Sequence, residues 1–191
     1  LPVATRDKLE ALLKVGGGTL AQVDRVDPWA LSLSFSIGAM AAMGFNGDSG
    51  PDRQLSRQAR IEGKPRIALE TLEDELIALD RQPIAEQMQG LGKFIDDPKQ
   101  AIELGLKMHA TWMAGDAEGL TRDYLDVMAK EQPESFRLLL VERNNAWMPK
   151  LQARLDEHRA GDNTLAVVGA LHLLGKDGLV KDVRVVAPVE G

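Results

Sequence analysis

The stretch that decides the predicted fold is Thr164-Leu-Ala-Val-Val-Gly169-Ala-Leu-His172-Leu-Leu-Gly175. Its apolar, β-branched first half predicts a buried strand over residues 164–168, and Gly169 allows the chain to turn sharply after it. His172 would then lie at the carboxyl end of that strand. Because ligands bind at this edge of open α/β sheets, and neutral imidazole is the commonest metal ligand, His172 is a candidate metal ligand. The alternative is a histidine that caps a strand end and binds nothing.

Two other short apolar runs extend the strand prediction. They are residues 66–69 (Arg-Ile-Ala-Leu) and residues 181–187, which contain Val-Arg-Val-Val-Ala. Helical periodicity covers most of the remaining sequence. The predicted helices span residues 5–14, 29–45, 52–60, 71–81, 84–95, 98–113, 120–130 and 133–159. About three strands among seven or eight helices predict a helix-rich α/β fold with a small, mostly parallel sheet.

The composition limits the class of protein. The chain has 191 residues, of which 44% are apolar and 27% charged, and this balance indicates a globular protein rather than a disordered one. No linker or repeat divides it, so residues 1–191 are predicted to form a single domain. The net charge of −6 argues against a nucleic-acid partner. The absence of cysteine from the sequence excludes disulfides, thiolate metal sites and cysteine nucleophiles.

The start of the sequence and its most apolar window also carry expectations. Leu1 opens neither a signal peptide nor a chain with an initiator methionine, so we expect a piece of a longer protein. A typical sheet has about five or six strands, and the missing one or two would belong to the rest of that protein. Residues 29–45 are interrupted by three serines and a glycine. They are therefore predicted as a buried core helix and not as a transmembrane segment.

Glu70 is the first candidate partner for His172, because it directly follows the predicted strand 66–69. If that strand runs parallel to residues 164–168, Glu70 and His172 emerge at the same edge of the sheet. A carboxylate and an imidazole there can hold a divalent metal, or act as base and electrostatic partner. The alternative is an acid at the start of the next helix, where the helix dipole favours negative charge.

Arg143 and Asn144 are the second candidates, and they lie within the long predicted helix 133–159. Asparagine is a poor residue for a helix interior because its amide competes with the backbone. An inward-facing Arg-Asn pair could bind a carboxylate, a carbonyl oxygen or a metal-bound water. A solvated face at a kink is the alternative. His109 is interpreted as a surface or half-buried helix residue and His158 as a helix-end residue, and neither is assigned to a site.

Six groups of residues, taken in order, carry a family resemblance. They are Asp27-Pro-Trp29; Gly47-x-x-Gly50-x-Asp52-x-x-Leu55; Gly63-Lys-Pro65 with Leu69-Glu70-Thr71; Trp112-x-x-Gly115-Asp116; Arg143-Asn144-x-x-Trp147; and Val168-Gly169-x-x-His172-Leu-x-Gly175. Each group alone is weak, but their order and spacing together are specific. The chain from Asp27 onward resembles the TraB/GumN family, the group that includes the Tiki-type proteases.

The resemblance implies a metal-dependent hydrolase whose site combines two Gly-x-x-His motifs with a glutamate and an Arg-Asn pair. By motif, Glu70, Arg143 and Asn144 would be catalytic, and His172 and Glu70 would bind the metal. The family's first Gly-x-x-His motif, on its first strand, has no counterpart in this sequence. A catalytic metal site of the zinc type uses about three protein ligands. We therefore expect this piece, without the first strand or strands, to bind a divalent metal poorly and to be inactive alone.

The resemblance leaves more than one function open. The leading hypothesis is a peptidase-like hydrolase acting on a peptide or small-molecule substrate. The alternative is a non-catalytic envelope protein that sequesters such a ligand, as the family's pheromone-linked members suggest, and a structural envelope protein with a degenerate site is a third. Bacterial members usually carry a signal sequence, which implies a periplasmic or secreted location. A missing first strand would expose a sheet edge or core face, so a homodimer is expected.

Overall fold

The computed structural model describes residues 1–157 and 163–182. The chain divides into two compact units, Leu1–Ala110 (unit 1) and Thr111–Gly191 (unit 2). The helices of unit 1, in chain order, are α1 (Val3–Val15), α2 (Leu20–Val23), α3 (Pro28–Ala42), a 3₁₀ turn (Gly47–Ser49), α4 (Pro51–Ile61), α5 (Leu72–Asp80), α6 (Ile84–Asp96) and α7 (Pro98–Met113), whose last residues belong to unit 2.

Unit 1 is organised around helix α6. Leu91 and Ile95 on this helix and Leu9 on α1 form a small buried cluster, against which partly buried leucines and Phe35 pack. Phe35 of α3 stacks on Phe94 of α6, with ring centroids 5.5 Å apart and planes 5° from parallel. The i, i+4 spacing of Leu91 and Ile95 places both on one helix face, so a single apolar stripe holds α1 and α3.

The prediction of a buried core helix over residues 29–45 is wrong about burial: helix α3 forms there, but it is not buried. None of its residues, all of them described, is fully buried, and Leu33 and Ile37 are 47% and 61% exposed. Leu31 and Phe35 are the residues of this helix that pack against the unit 1 cluster, and they are partly buried. Within the described ranges, no helix combines the length and the apolar character needed to cross a membrane. That finding agrees with the expectation that residues 29–45 do not form a transmembrane segment.

The predicted start of a helix at residue 71 is confirmed by a side-chain cap. Thr71 precedes α5, and its hydroxyl accepts a hydrogen bond from the Asp74 backbone N–H at 3.1 Å. The Asp74 carboxylate in turn accepts from the Thr71 N–H at 2.9 Å. This reciprocal capping box satisfies two backbone donors that a helix start leaves unpaired. Pro28 and Pro51 each occupy the first position of a helix, where the missing N–H costs nothing.

Unit 2 contains two long helical stretches, each with a π-helical turn inside it. The first comprises α8 (Ala117–Leu120), a π turn (Thr121–Leu125) and α9 (Asp126–Glu131); the second comprises α10 (Pro133–Phe136), a π turn (Arg137–Val141) and α11 (Glu142–Asp156). A 3₁₀ turn (Ala170–Leu173) and a short helix, α12 (Leu179–Asp182), follow. The buried side chains Tyr124, Leu125, Leu138, Leu140, Trp147 and Leu179 form the apolar interior of this unit.

The predicted α/β fold is wrong for the part of the chain that the structure describes, which contains helices and no β-strand. Residues 66–69 and 164–168 lie outside helices, but neither is a strand. Ile67, Leu165 and Val167 are 59%, 71% and 45% exposed. Residues 181 and 182 end α12, and residues 183–187 lie outside the described ranges. A strand needs a paired neighbour, and an apolar, β-branched composition does not supply one.

Candidate functional site

Helix α11 and the π turn before it bring three side chains to the candidate site in unit 2. Asn144 and Trp147 follow the i, i+3 spacing of one face of α11, and both are buried; the third, Leu140, lies in the π turn directly before α11 and is also buried. Arg143 lies four residues before Trp147, so both contribute to an adjoining strip of the helix. The Arg143–Asn144 pair is therefore inward-facing, with Asn144 at 5% exposure and Arg143 half-buried.

The π turn that precedes α11 sets the register of this face. A π turn contains one residue more than an α turn and shifts every following side chain around the helix axis. On its outer side, Arg137 forms ion pairs with Glu134 of α10 and Glu142 of α11. The hydrogen bonds that Arg137 donates to the Glu134 carboxylate raise the pKa of its exposed guanidinium. These ion pairs connect the helix before the π turn to the helix after it.

His172 reaches the site from the 3₁₀ turn that follows Gly169. The backbone N–H of His172 donates to the Gly169 carbonyl at 3.0 Å, which closes the turn. The imidazole is buried, with 7% exposure. Its Nδ1 lies 2.7 Å from Oδ1 of Asn144, a buried side-chain contact between residues 28 positions apart. The structure therefore brings together two of the residues that the sequence singled out.

The Asn144 amide makes two more hydrogen bonds, both to the backbone. Its Nδ2 donates to the carbonyl oxygen of His172 at 3.2 Å and to that of Asp177 at 2.8 Å. One side chain thus holds the imidazole, the residue that carries it and the end of the following loop. Because each of these groups lies in or beside the interior, losing Asn144 would leave several polar groups without a partner.

Two glycines allow the loop to return to Asn144. Gly175 has a φ of +74°, and a Cβ there would lie 2.6 Å from Cδ2 of Leu125. A Cβ on Gly178 would lie 2.5 Å and 2.6 Å from the carbonyl oxygens of Leu173 and Leu174. Side chains at either position would displace the loop. By contrast, a Cβ on Gly169 would meet His172 Cδ2 at 3.6 Å, an ordinary contact.

Trp147 contacts both of the neighbouring candidates. Its ring centroid lies 4.5 Å from that of His172, with the ring planes at 42°. The guanidinium carbon of Arg143 lies 4.9 Å from the Trp147 ring centroid, within cation–π distance. Nη1 of Arg143 also donates to the Leu139 carbonyl at 3.2 Å. Trp147 is thus a buried residue that also contacts the candidate histidine.

Glu70 belongs to unit 1, at a bend that immediately precedes Thr71, the N-cap of α5. The sheet edge that was expected to unite Glu70 with His172 is not formed by the described residues. The pairing of Glu70 with His172 therefore stays a prediction. His109 is half-buried, as expected, and its ring packs edge-on against Phe45 at 5.0 Å. His158 lies outside the described residues.

The divalent metal implied by the resemblance can be tested against the donors at His172. A ligating histidine typically uses one ring nitrogen for the metal and holds its other N–H on a fixed acceptor. Nδ1 of His172 faces Asn144 Oδ1, so Nε2 is the atom that fits a metal. No group of three or more histidines and carboxylates suited to a metal occurs in residues 1–157 and 163–182. Among the described residues, Nε2 of His172 is therefore one ligand atom that would suit a metal.

Sequence reasoning missed three features of this cluster: the ring contact of Trp147, the Asp177 carbonyl and the need for glycine at position 178. The spacing Asn144-x-x-Trp147 was a usable signal, because residues at i and i+3 share a helix face. The backbone carbonyl left no trace in the sequence, because any residue carries one.

Of the three comparisons with known proteins, the one with protein families gives a match. No curated protein and no solved structure gives a significant match. The family model described as the TraB/PrgY/gumN family matches residues 1–185, almost the whole chain. The chain therefore belongs to the TraB/PrgY/gumN family.

Proposed function

We propose that this protein is a metal-dependent, peptidase-like hydrolase in which His172 is a metal ligand. The observation that carries the proposal is the buried imidazole of His172, held at Nδ1 by the Asn144 amide at 2.7 Å. This is the arrangement of a ligating histidine with a supporting hydrogen bond behind it. Membership of the family adds weight, because the same residues match its motif.

A purely structural role explains the cluster less well. Burying polar groups costs free energy unless each is hydrogen-bonded, and an apolar side chain of similar size fills space without that requirement. The loop from His172 to Asp177 needs the Asn144 amide for its two carbonyl oxygens. These two hydrogen bonds do not involve the imidazole of His172, whose Nδ1 contacts Asn144 Oδ1 instead. A hydrogen-bonded imidazole held in this way also suits a role in chemistry.

The proposed site in unit 2 assigns roles to three residues. His172 would hold the metal through Nε2; the resemblance gives Glu70, in unit 1, as a second ligand or general base, and that role stays a prediction. A bound divalent metal would polarise the substrate carbonyl and activate a water molecule. Arg143 keeps a half-buried guanidinium beside Trp147 and is proposed to bind a carbonyl or carboxylate oxygen of the substrate. Asn144 orients His172.

The test is peptide hydrolysis by the full-length protein. After chelation, the protein is supplied with Zn²⁺, Mn²⁺ or Co²⁺ and a mixed peptide library, and products are followed by mass spectrometry. We expect metal-dependent cleavage, and His172→Gln should lower the rate by about 100-fold or more. His109→Gln is the matched control, because His109 lies in unit 1 against Phe45. Cleavage that survives His172→Gln in a folded protein would contradict the proposal.

The second candidate function is binding without turnover, in which the protein sequesters a peptide or small ligand. It is favoured by the donor set, since the described residues contain no group of three or more metal-ligating side chains. The same experiment separates the two functions. Retention of library peptides by the wild-type protein with no cleavage product under any metal would support sequestration and reject the hydrolase.

A further inference from the structure

The orientation of the Asn144 amide is fixed by its surroundings. Nδ2 donates to two carbonyl oxygens, those of His172 and Asp177, at 3.2 Å and 2.8 Å. Carbonyl oxygens only accept hydrogen bonds. If the amide were reversed, Oδ1 would face both oxygens, and one buried and one partly buried hydrogen bond would become repulsive contacts. Oδ1 must therefore be the atom that faces Nδ1 of His172, at 2.7 Å.

An amide oxygen opposite Nδ1 determines where the imidazole carries its proton. Oδ1 has only lone pairs to offer, so Nδ1 must be the donor of this hydrogen bond. In a neutral imidazole one nitrogen donates and the other accepts, and the hydrogen bond made by the first nitrogen selects the tautomer. We propose that Asn144 is a positioning residue that fixes neutral His172 in its Nδ1–H form and so places the reactive lone pair on Nε2.

This role differs from the one that the resemblance implies for Asn144. All three of its hydrogen bonds go to groups of the protein, so its amide orients His172 and does not bind a substrate oxygen. The same amide holds the loop at Asp177, and the tautomer and the loop therefore depend on one side chain. The inference deepens the proposed function, on which its catalytic meaning rests. The tautomer itself exists with or without a substrate.

The direct test is nitrogen NMR of the full-length protein, with ¹⁵N-labelled histidine, at a pH where the ring is neutral. The His172 signals are assigned by their loss in His172→Gln. We expect Nδ1 to give the shift of a protonated, pyrrole-type nitrogen and Nε2 that of an unprotonated, pyridine-type nitrogen. His109 provides a reference imidazole in the same spectrum. The opposite assignment, with the proton on Nε2, would overturn the inference from the wild-type spectrum alone.

Variants separate the tautomer from the loop. Asn144→Leu removes the acceptor and should return His172 to a mixture dominated by the Nε2–H form. Asn144→Asp keeps an acceptor opposite Nδ1 but loses both donated hydrogen bonds, so it should retain the Nδ1–H form. Asn145→Leu changes an exposed asparagine one position along α11 and should leave the spectrum unchanged. A folded Asn144→Leu protein with the wild-type tautomer would contradict the proposal.

The two proposals can fail separately. An Nδ1–H imidazole in a protein that cleaves no peptide would reject the hydrolase and leave the role of Asn144 intact. Conversely, peptide cleavage could depend on His172 while the His172 imidazole carries its proton on Nε2. That result would support the hydrolase and reject the role of Asn144.

Discussion

The central buried clusters of units 1 and 2 differ in kind, although unit 1 also buries two polar side chains, Thr5 and Gln87, outside its cluster. The central cluster of unit 1 is apolar, with Leu9, Leu91 and Ile95 at 4%, 1% and 1% exposure. Unit 2 also has an apolar interior, but it encloses the hydrogen-bonded pair Asn144 and His172 at 5% and 7% exposure. Unit 1 further leaves large apolar side chains on its surface, among them Leu33 and Ile37 of α3.

This difference predicts how each unit responds to amino-acid substitution. Apolar burial is non-directional, so the cluster of unit 1 depends on volume and area. The Asn144–His172 pair depends on direction, because a displaced hydrogen bond leaves a buried polar group unsatisfied. The unit 1 cluster should therefore respond to loss of volume, and the unit 2 site to small displacements of backbone.

The largest effect is expected in the unit 1 cluster. Leu91→Ala removes most of a side chain that is 1% exposed, and the lost burial and the remaining cavity should lower the free energy of unfolding by about 2–5 kcal/mol. Urea denaturation followed by circular dichroism measures the change. Leu72→Ala, at a position that is 70% exposed, is the matched control and should change it by less than about 0.5 kcal/mol. Equal losses in the two variants would mean that Leu91 is not a core residue.

A medium effect is expected in the loop that carries His172. Gly175→Ala forces an L-residue to a φ of +74° and places Cβ 2.6 Å from Leu125, which should cost about 1–3 kcal/mol. Gly105→Ala, within α7 and with no atom within 4 Å of the added Cβ, should instead stabilise the protein by about 0.5–1 kcal/mol.

Opposite signs for these two glycine variants, measured by urea denaturation, would confirm that unit 2 depends on backbone geometry. The Gly175→Ala protein should also show a changed His172 nitrogen spectrum. If Gly175→Ala changed neither the His172 nitrogen spectrum nor the stability, position 175 would not need glycine for the loop to reach Asn144.

The smallest effect is expected at a surface ion pair of α1. Lys14 Nζ lies 2.8 Å from Glu10 Oε1, and the hydrogen bond and charge of Lys14 lower the pKa of Glu10 below its ordinary value of 4.5. Because the pKa of Glu10 is lower in the folded protein than in the unfolded chain, its ionised carboxylate stabilises the fold at pH values above the unfolded pKa. This stabilisation is lost as the pH falls through the folded pKa. Glu10→Gln should therefore be slightly less stable than wild type at neutral pH and equal to it in acid. A difference that grows on acidification would contradict this sign.

The start of a helix at residue 71 was read correctly from the sequence, because a cap acts over a single turn. Pro28 and Pro51 each begin a helix one residue before the predicted range. The sheet was predicted wrongly from residues 66–69 and 164–168, because strand formation depends on a distant partner that composition does not reveal. At the site, the odd position of Asn144 inside a helix was a real signal. Its contact with His172 spans 28 positions and had no local signature.

The sequence by itself determined the family, the positions of most helices and the residue types available for chemistry, since motifs, caps and periodicity act within a few positions. The tertiary structure alone decided that no strand forms in the described ranges, that Trp147 contacts His172, and that one amide holds both the imidazole and the loop. These outcomes depend on which distant groups meet. A hydrogen bond or a paired strand gains its free energy only when both partners are brought together.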